Sequence, residues 1–279
     1  MKKTVKRLMA IFYAASMLLL IASGCTSAGT GTTSEEDLLD AIMRKGKIVV
    51  CLNTGNEPWG YMNVENNNIE GMAIDLINGF AESIGVETEI QPYEFSSLIP
   101  AIESGKADII CTNLTRTATR ATSVLFTEPV GSSIGVAIIR KGEFATIDDL
   151  NKEGIISTTE GGTIWEDVSK DVLPNATMSP VTMTSDAIAA LKAGRADTFL
   201  TDITIATAAV NADDSLEYLP KPIYLDTFAF AVKCDASSYT FIEAFNTYLR
   251  LIKLDGTYGE LYETYFGEEW VPNTTEVGA

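Results

Sequence analysis

The sequence predicts an α/β fold of mostly parallel sheets with helices on both faces, built as two similar halves. Two observations lead to this expectation. Short apolar strands alternate with amphipathic helical segments along most of the chain, which is the pattern of parallel sheets covered by helices. One helix–glycine–strand unit also occurs twice, which indicates two lobes with the same construction.

The first 24 residues have the layout of a secretory signal. Four basic residues lie within the first seven positions, the apolar run LMAIFYAASMLLLIAS follows, and the segment contains no acid. The run is too short to be a convincing membrane span. It ends in IASGC, which resembles the lipobox of bacterial lipoproteins, although Ala22 stands where that motif usually has leucine. The resemblance implies cleavage before Cys25 and attachment of palmitate-type lipid there, and the alternative is ordinary secretion with cleavage nearby.

The folded part is predicted to begin near Ser34. Residues 25–33 read as a flexible tether, because the Ser/Thr/Gly-rich stretch offers nothing that would pack. The helix LLDAIMRK follows, and Gly46 ends it.

The chain is strongly acidic and has no histidine. Its formal net charge is −18, and loss of the signal cations makes the mature chain more negative still. Such a charge argues against a nucleic-acid partner. The lack of histidine excludes His-based catalytic triads and the usual zinc sites, and no CxxC spacing suggests another metal. We therefore predict no metal and no cofactor. We also expect a monomer.

The strands IVVC and DIIC each end in a cysteine, Cys51 and Cys111. They either pair across neighbouring strands or remain buried free thiols, and free thiols are the commoner outcome and the preferred interpretation.

The repeated unit consists of AIESGKADIICTN (101–113) and ALKAGRADTFLTD (190–202). In each copy a helix ends at a glycine, Gly105 or Gly194, and a strand follows. Asn113 and Asp202 are the equivalent last residues. Because ligands of such sheets bind outside the carboxyl ends of the strands, we expect both side chains to face one cleft.

The remaining elements follow the same alternation. The first half has the strands KIVVCLN, ETEIQPY and ADIICTN and the helices IDLINGFAESIG and SSLIPAIESG, and the second half has the strands GIISTT and ADTFLTD.

The segment CTNLTRTATR (111–120) carries polar side chains out of a buried strand and ends in Arg120. Hydroxyl and amide donors beside a fixed guanidinium suit a small carboxylate. The alternative is that Arg120 caps or pairs with a neighbouring helix.

Several segments resemble the extracellular solute-binding proteins, family 3 type, of polar amino-acid ABC transporters, in their lipoprotein form. These are NEPWGYM with IEGMAIDLINGFAESIGV, the stretch FSSLIPAIESGKADIICTNLTRTATRATSVLFTEP, and LDGTYGELYETYFG, in that order. The resemblance implies a two-lobed, type II periplasmic-binding-protein-like fold with two hinge crossovers, near SSIGVA and DTFAFA. Lobe 1 would comprise 34–134 plus 231–279, and lobe 2 would comprise 135–230.

The resemblance also implies the ligand contacts. Arg120 would hold the α-carboxylate of an amino acid, and Asp202 would accept from its α-ammonium group. Asn53 matches a family position where an acid often sits, so the side-chain preference stays open. The further positions that would line the site are Thr112, Asn113, Thr115, Gly161, Gly162, Thr163, Trp59 and Asn56.

Structural roles are the alternatives for some of these residues. Asp202 can serve as the N-cap of the helix ITIATAAV, and Trp59 can be a plain core residue. Trp165 is interpreted as packing and Asp75 as structural.

The function implied is capture of a free amino acid between two lobes by hinge closure, outside the cytoplasm, on a lipid anchor at Cys25. A membrane permease would receive the ligand, and no catalysis is expected. One alternative is an enzyme like the cyclohexadienyl dehydratases, with Glu57 or Glu160 as general acid or base. The other is a lipid-anchored amino-acid sensor.

Overall fold

The computed structural model describes residues 36–267 and 269–270. The predicted signal segment 1–24, the lipidation site Cys25, the tether 25–33 and Ser34 lie outside the described residues. Within the described ranges, no helix is both long enough and apolar enough to cross a bilayer.

The strands of the described residues are short, apart from two of ten residues. In chain order they are β1 Lys47–Leu52, β2 Gly55–Asn56, β3 Gly60–Met62, β4 Ile69–Glu70, β5 Glu87–Pro92, β6 Ile109–Thr115, β7 Val124–Phe126, β8 Gly131–Arg140, β9 Ile156–Thr158, β10 Thr177–Met178, β11 Thr198–Asp202, β12 Leu216–Tyr218 and β13 Tyr224–Lys233.

The predicted helical segments are helical in the structure, and further helices lie between them. In chain order they are α1 Leu38–Lys45, α2 Met72–Ile84, α3 Leu98–Glu103, α4 Ile147–Leu150, α5 Trp165–Val172, α6 Thr184–Lys192, α7 Ile203–Ala212, α8 Tyr239–Asp255 and α9 Thr257–Phe266. The N-cap of α1 is Asp37, whose carboxylate accepts from the N–H groups of Leu39 and Asp40.

The main sheet contains ten strands, in the order β10, β9, β11, β8, β13, β6, β1, β5, with β12 beside β8 and β7 beside β13. Parallel pairs join β1 to β5 and β6, and β9 to β10 and β11, as the alternation of strands and helices predicts. Around β8 and β13 the pairs are antiparallel. The sheet is therefore mixed, because the two long central strands run against their neighbours.

The central strands carry the chain between the two halves. The first residues of β8 pair with β13, and its later residues pair with β11 and β12. β13 runs in the opposite direction and then pairs with β6 and β7. The predicted crossings, SSIGVA and DTFAFA, lie in these two adjacent strands.

The repeated unit has the same internal bonding in both copies. The glycines that end the two helices have left-handed φ values of 70° and 67°. The Asp108 carboxylate accepts from the N–H of Val49 at 2.7 Å, and the Asp197 carboxylate accepts from the N–H of Ile156 at 2.8 Å. Each aspartate thus fixes its own strand to the next parallel strand, which explains why the motif repeats Ala-Asp at this place.

Each half of the sheet has its own hydrophobic core on both faces. Two clusters draw on residues between 42 and 130 together with residues between 228 and 258. Two others draw on residues between 136 and 219. Phe228, which lies within the predicted range of lobe 2, packs in a cluster of the first half.

The two strand cysteines do not face each other. Cys51 is the register partner of Ile110, so Cys111 points to the opposite face of the sheet, and the two thiols belong to different clusters. Both are buried and free, which confirms the preferred interpretation. Burial raises the pKa of the Cys51 thiol to about 12, so this thiol stays protonated and unreactive.

Candidate functional site

A small buried cavity lies where β6 and β11 end. It has a volume of about 20 Å³, which is room for about one water molecule. Both halves of the sheet contribute to it. The residues that line it are Asn56, Phe95, Asn113, Thr115, Glu160, Thr163, Ile164, Trp165, Phe199, Thr201, Asp202 and Ile205.

Arg120 lies on a short 3₁₀ turn after β6. Its Nη1 donates to the backbone oxygen of Thr115 and its Nη2 to the backbone oxygen of Gly162, both at 2.9 Å. The guanidinium carbon lies 5.6 Å from the ring centroid of Phe95, within cation–π range. Burial lowers the pKa of Arg120 and nearby Asp226 opposes that shift, and a guanidinium remains charged in either case. Arg120 thus provides a fixed cation that bonds both halves of the fold.

Asp226 is a buried acid close to the Arg120 guanidinium. β6 continues two residues beyond Asn113, to Thr115, because β13 pairs with it that far. The Thr115 hydroxyl donates to the Asp226 carboxylate at 2.8 Å. Burial raises the pKa of Asp226 to about 6, while the Thr115 hydrogen bond and the Arg120 charge oppose the rise. The Arg120 charge is therefore balanced from β13.

Asp202 ends β11 and is 5 % exposed. Although it stands at the N-cap of α7, its side chain makes no capping hydrogen bond. Its Oδ2 accepts from Nδ2 of Asn113 at 3.3 Å. Burial, helped by the charge of Asp226, raises the pKa of Asp202 to about 8. The two ends of the repeated unit thus meet across the cavity, as their equivalent positions predict.

Three asparagines form a hydrogen-bonded chain behind the cavity. Nδ2 of Asn56 donates to Oδ1 of Asn113 at 2.8 Å and to Oδ1 of Asn53 at 3.1 Å. The Thr112 hydroxyl lies 2.9 Å from Oδ1 of Asn53 and 3.1 Å from Oδ1 of Asn113. Asn53 and Thr112 therefore support the lining residues Asn56 and Asn113, and neither is itself part of the cavity wall.

The loop between β9 and α5 forms the facing wall. The Thr163 hydroxyl donates to the backbone oxygen of Glu160 at 2.6 Å. The N–H of Gly161 donates to a backbone carbonyl, and the N–H of Gly162 donates to Oε1 of Glu166 at 2.6 Å. In this arrangement Gly162 contacts the other half of the fold through its carbonyl oxygen, which accepts a hydrogen bond from Arg120.

Trp59 is separated from the polar cluster. It lies in the hydrophobic core, with its ring centroid 4.9 Å from that of Phe228 and 5.4 Å from that of Phe266. Trp165, interpreted from the sequence as packing, is buried against Tyr224 and also lines the cavity.

Phe95 and Asp226 were not identified from the sequence. Phe95 begins the segment FSSLIP that carries part of the family resemblance, and Asp226 is an acid at the start of the apolar stretch DTFAFA. An acid in an apolar crossing strand is the signal that would have indicated Asp226. Of the two proposed catalytic acids, Glu160 lines the cavity and Glu57 is exposed.

Named proteins similar to this chain bind amino acids. The ABC transporter glutamine-binding protein GlnH of Bacillus subtilis (strain 168) is 26 % identical over 273 residues, which cover 96 % of this chain and 99 % of the relative. The ABC transporter arginine-binding protein 1 of Escherichia coli (strain K12) is 28 % identical over 206 residues, which cover 72 % of this chain and 83 % of the relative.

Solved structures show the same fold. An ancestral amino acid-binding protein, AncCDT-1, described as a precursor of cyclohexadienyl dehydratase, superposes with a TM-score of 0.76 at 27 % identity, covering 82 % of this chain and 99 % of that one. The amino acid ABC transporter substrate-binding protein AbpA from Streptococcus pneumoniae, bound to L-arginine, has a TM-score of 0.74 at 28 % identity, covering 82 % of this chain and 98 % of that one. The fold is thus the two-lobed, type II periplasmic-binding-protein fold.

The family model of the bacterial extracellular solute-binding proteins, family 3, matches residues 48–268, which include every residue of the cavity. The chain therefore belongs to the bacterial extracellular solute-binding proteins, family 3.

Proposed function

We propose that this protein is the extracytoplasmic ligand-binding component of an amino-acid ABC transporter and captures a free amino acid between its two lobes. The observation that carries the proposal is a guanidinium and a buried carboxyl group on opposite halves of the fold: Arg120 bonds across to the Gly162 carbonyl, and Asp202 lines the cavity. A zwitterion carries the complementary pair of charges. The glutamine- and arginine-binding relatives support the same class of ligand.

The α-carboxylate would accept from Arg120, and the α-ammonium group would donate to Asp202. In doing so the ligand replaces the contacts that Arg120 makes with the Thr115 and Gly162 carbonyls and that Asp202 makes with Asn113. The exchange favours the bound state because the ligand places a full opposite charge where each group now contacts a neutral carbonyl or amide.

The lobes must separate before a ligand enters, because the cavity of about 20 Å³ is far smaller than an amino acid. The proposed division places 34–134 and 231–279 in lobe 1 and 135–230 in lobe 2. The separate hydrophobic cores and the two crossing strands support a hinge at this division. A ligand that contacts both lobes would stabilise the closed form by those contacts.

The proposal includes a lipid anchor on Cys25 and delivery of the closed, loaded form to a membrane permease. The lipobox-like end of the signal segment and the transporter relatives support these two points. A sensor would use the same cleft, so variants of the cleft do not distinguish a sensor from a transporter component. Loss of delivery to the permease with ligand binding intact would distinguish them.

An enzyme is the second candidate, and Glu160 is the observation in its favour. This acid is 6 % exposed at the cavity, and burial raises its pKa, as a general acid requires. The structurally similar AncCDT-1 is described as a precursor of a dehydratase. We favour the binding role because the named relatives are amino-acid-binding proteins.

Thermal unfolding of the refolded, ligand-free protein tests the proposal. The protein is scanned against the twenty amino acids, α-keto acids and cyclohexadienyl carboxylates, because a ligand that binds only the native state raises the midpoint. A shift with one or a few α-amino acids is the expected result. A shift with ring carboxylates alone, together with their turnover, would replace the binding role by the enzymatic one.

A further inference from the structure

Asn53 carries a buried hydrogen-bond donor without an acceptor. The residue is 3 % exposed, and its Oδ1 accepts from Asn56 and from Thr112. Its Nδ2 has no hydrogen-bond partner among the described residues. An unsatisfied buried donor costs about 1–3 kcal/mol, so an acceptor placed here by a ligand would be stabilised.

The orientation of the Asn53 amide follows from a chain of hydrogen bonds that starts at Asp202. Asn113 turns its Nδ2 towards Asp202 and its Oδ1 towards Asn56. The Asn56 amide group then donates to Oδ1 of Asn53. Each hydrogen bond fixes the orientation of the next amide. The Nδ2 of Asn53 therefore points away from the other two asparagines.

Glu160 supplies acceptors beside this donor. Its Oε2 accepts from the Thr184 hydroxyl at 2.9 Å. Burial raises the pKa of Glu160, while the side chains of Thr184 and Asn53 oppose the rise. Asn53 is therefore near enough to favour the charged carboxylate, although no hydrogen bond of ordinary geometry joins the two groups.

Glu160 lines both the small cavity and a larger groove of about 460 Å³. Asn53 lies in the lining of that groove, and the charged residues of the lining are Glu94 and Glu160. Asn53 and Glu160 therefore lie together in the lining of this groove, beside the cavity that Glu160 also lines.

We infer that Asn53 and Glu160 form a subsite for a terminal carboxamide, so that the captured amino acid is of the glutamine type. The inference rests on the proposed function and deepens it. The amide oxygen of the ligand would accept from Nδ2 of Asn53, and the amide nitrogen would donate to the Glu160 carboxylate. One donor and one charged acceptor in the wall match the one acceptor and one donor group of a primary amide.

Other side-chain termini leave one half of the subsite unsatisfied. A guanidinium or ammonium group has only donors, so it gains the Glu160 charge but opposes the N–H of Asn53. The Asn53 amide cannot simply rotate, because its oxygen is already engaged by Asn56 and Thr112. A carboxylate terminus would be repelled by Glu160.

Calorimetric titration of the wild-type protein with glutamine, glutamate, arginine and lysine tests the subsite. Glutamine is expected to bind at least about tenfold more tightly than the other three. The variant Asn53→Asp removes the donor and adds a charge, so it is expected to weaken glutamine binding by about tenfold or more and to strengthen arginine or lysine binding. The control Asn211→Asp makes the same change on the exposed surface of α7 and is expected to leave the preference unchanged.

The outcomes separate the subsite from the proposed function. Tighter binding of arginine or lysine than of glutamine to the wild type overturns the carboxamide subsite and leaves amino-acid capture intact. An Asn53→Asp variant that keeps the wild-type preference also overturns it. If none of these four amino acids binds and the thermal scan of all twenty shows no shift, both the subsite and the proposed function fail. The wild-type preference decides the matter even if Asn53→Asp does not fold.

Discussion

At the residue scale, the site contains three buried acids. Asp202, Asp226 and Glu160 are each less than a tenth exposed, and burial raises the pKa of all three. A carboxyl group whose pKa is raised on folding binds more protons in the native state than in the unfolded state. Its contribution to stability therefore falls as the pH rises between the unfolded and the folded pKa. For Asp202 this window runs from the ordinary aspartate pKa of 3.8 to about 8.

We expect Asp202→Asn to stabilise the ligand-free protein at pH 8.5 and to weaken amino-acid binding. The neutral amide avoids the cost of a buried charge, which we estimate at about 1–3 kcal/mol after relaxation of the site. The same amide does not attract the α-ammonium group. Urea unfolding at pH 5 and pH 8.5 measures the effect, and the gain in unfolding free energy should appear mainly at the higher pH.

The matched control is Asp197→Asn in the same copy of the repeated unit. Asp197 pairs with Arg140 and accepts from the N–H of Ile156, so its replacement should destabilise the protein. An Asp202→Asn variant that is as destabilised as Asp197→Asn would contradict the assignment of Asp202 to a ligand.

At the element scale, the crossing strand β8 holds the cavity wall in place through close packing. A Cβ on Gly135 would lie 2.2 Å from the Trp165 ring, and Trp165 both begins α5 and lines the cavity. The glycine has ordinary φ, so the requirement is for space and not for an unusual backbone. The position of Trp165 thus depends on the absence of a side chain on the neighbouring strand.

We expect Gly135→Ala to weaken amino-acid binding by at least about tenfold, because the added methyl group displaces the Trp165 ring. Titration calorimetry measures the loss, and the Trp165 environment is followed by fluorescence. The control is Gly259→Ala, where an added Cβ meets no atom of the described residues within 4 Å. Unchanged affinity in Gly135→Ala would show that Trp165 is not part of the binding wall.

Helices and strands were predictable from the sequence where a local pattern of apolar residues and glycines defines them. The helix before Gly105 and the strand after it follow from apolar spacing and the glycine stop, and both are present. The antiparallel pairing of β8 and β13 was not predictable, because register between distant segments has no local signal. Asp226 was missed for the same reason, since only that pairing brings it to Thr115.

Site residues were predictable from the sequence where they belong to the repeated unit or to a family motif. Asn113 and Asp202 were placed together from their equivalent positions, and the structure joins them by a hydrogen bond. Trp59 shows the limit of this reasoning, because an aromatic residue after a proline is compatible with a cleft loop and with a core, and it packs in the core.

At the scale of the whole molecule, direct contacts join the two halves around the cavity. Arg120 bonds the Gly162 carbonyl, and Asn113 bonds Asp202. At the edge of the groove, a Cβ on Gly55 of β2 would lie 4.0 Å from Cβ of Thr184, the first residue of α6. That separation is within the Cβ–Cβ range of disulfides.

We expect the double variant Gly55→Cys/Thr184→Cys, with Cys25 and Cys234 replaced by serine, to form a disulfide that locks the cleft. Locked before the ligand is added, the protein should not bind. Locked afterwards, it should not release the ligand, and reduction should restore exchange in both cases. Stopped-flow fluorescence measures the rates, with Thr184→Cys alone as control. Binding to the oxidised double variant at the control rate would contradict hinge opening.

The central claim is that an amino acid is held through its α-carboxylate by Arg120. The most direct measurement is a calorimetric titration of the wild type, Arg120→Ala and the matched control Arg116→Ala, an exposed arginine four positions earlier. The account predicts one ligand per chain, an affinity at least about a hundredfold lower in Arg120→Ala, and no change in Arg116→Ala. Affinity in a folded Arg120→Ala variant within about threefold of the wild type would contradict the account.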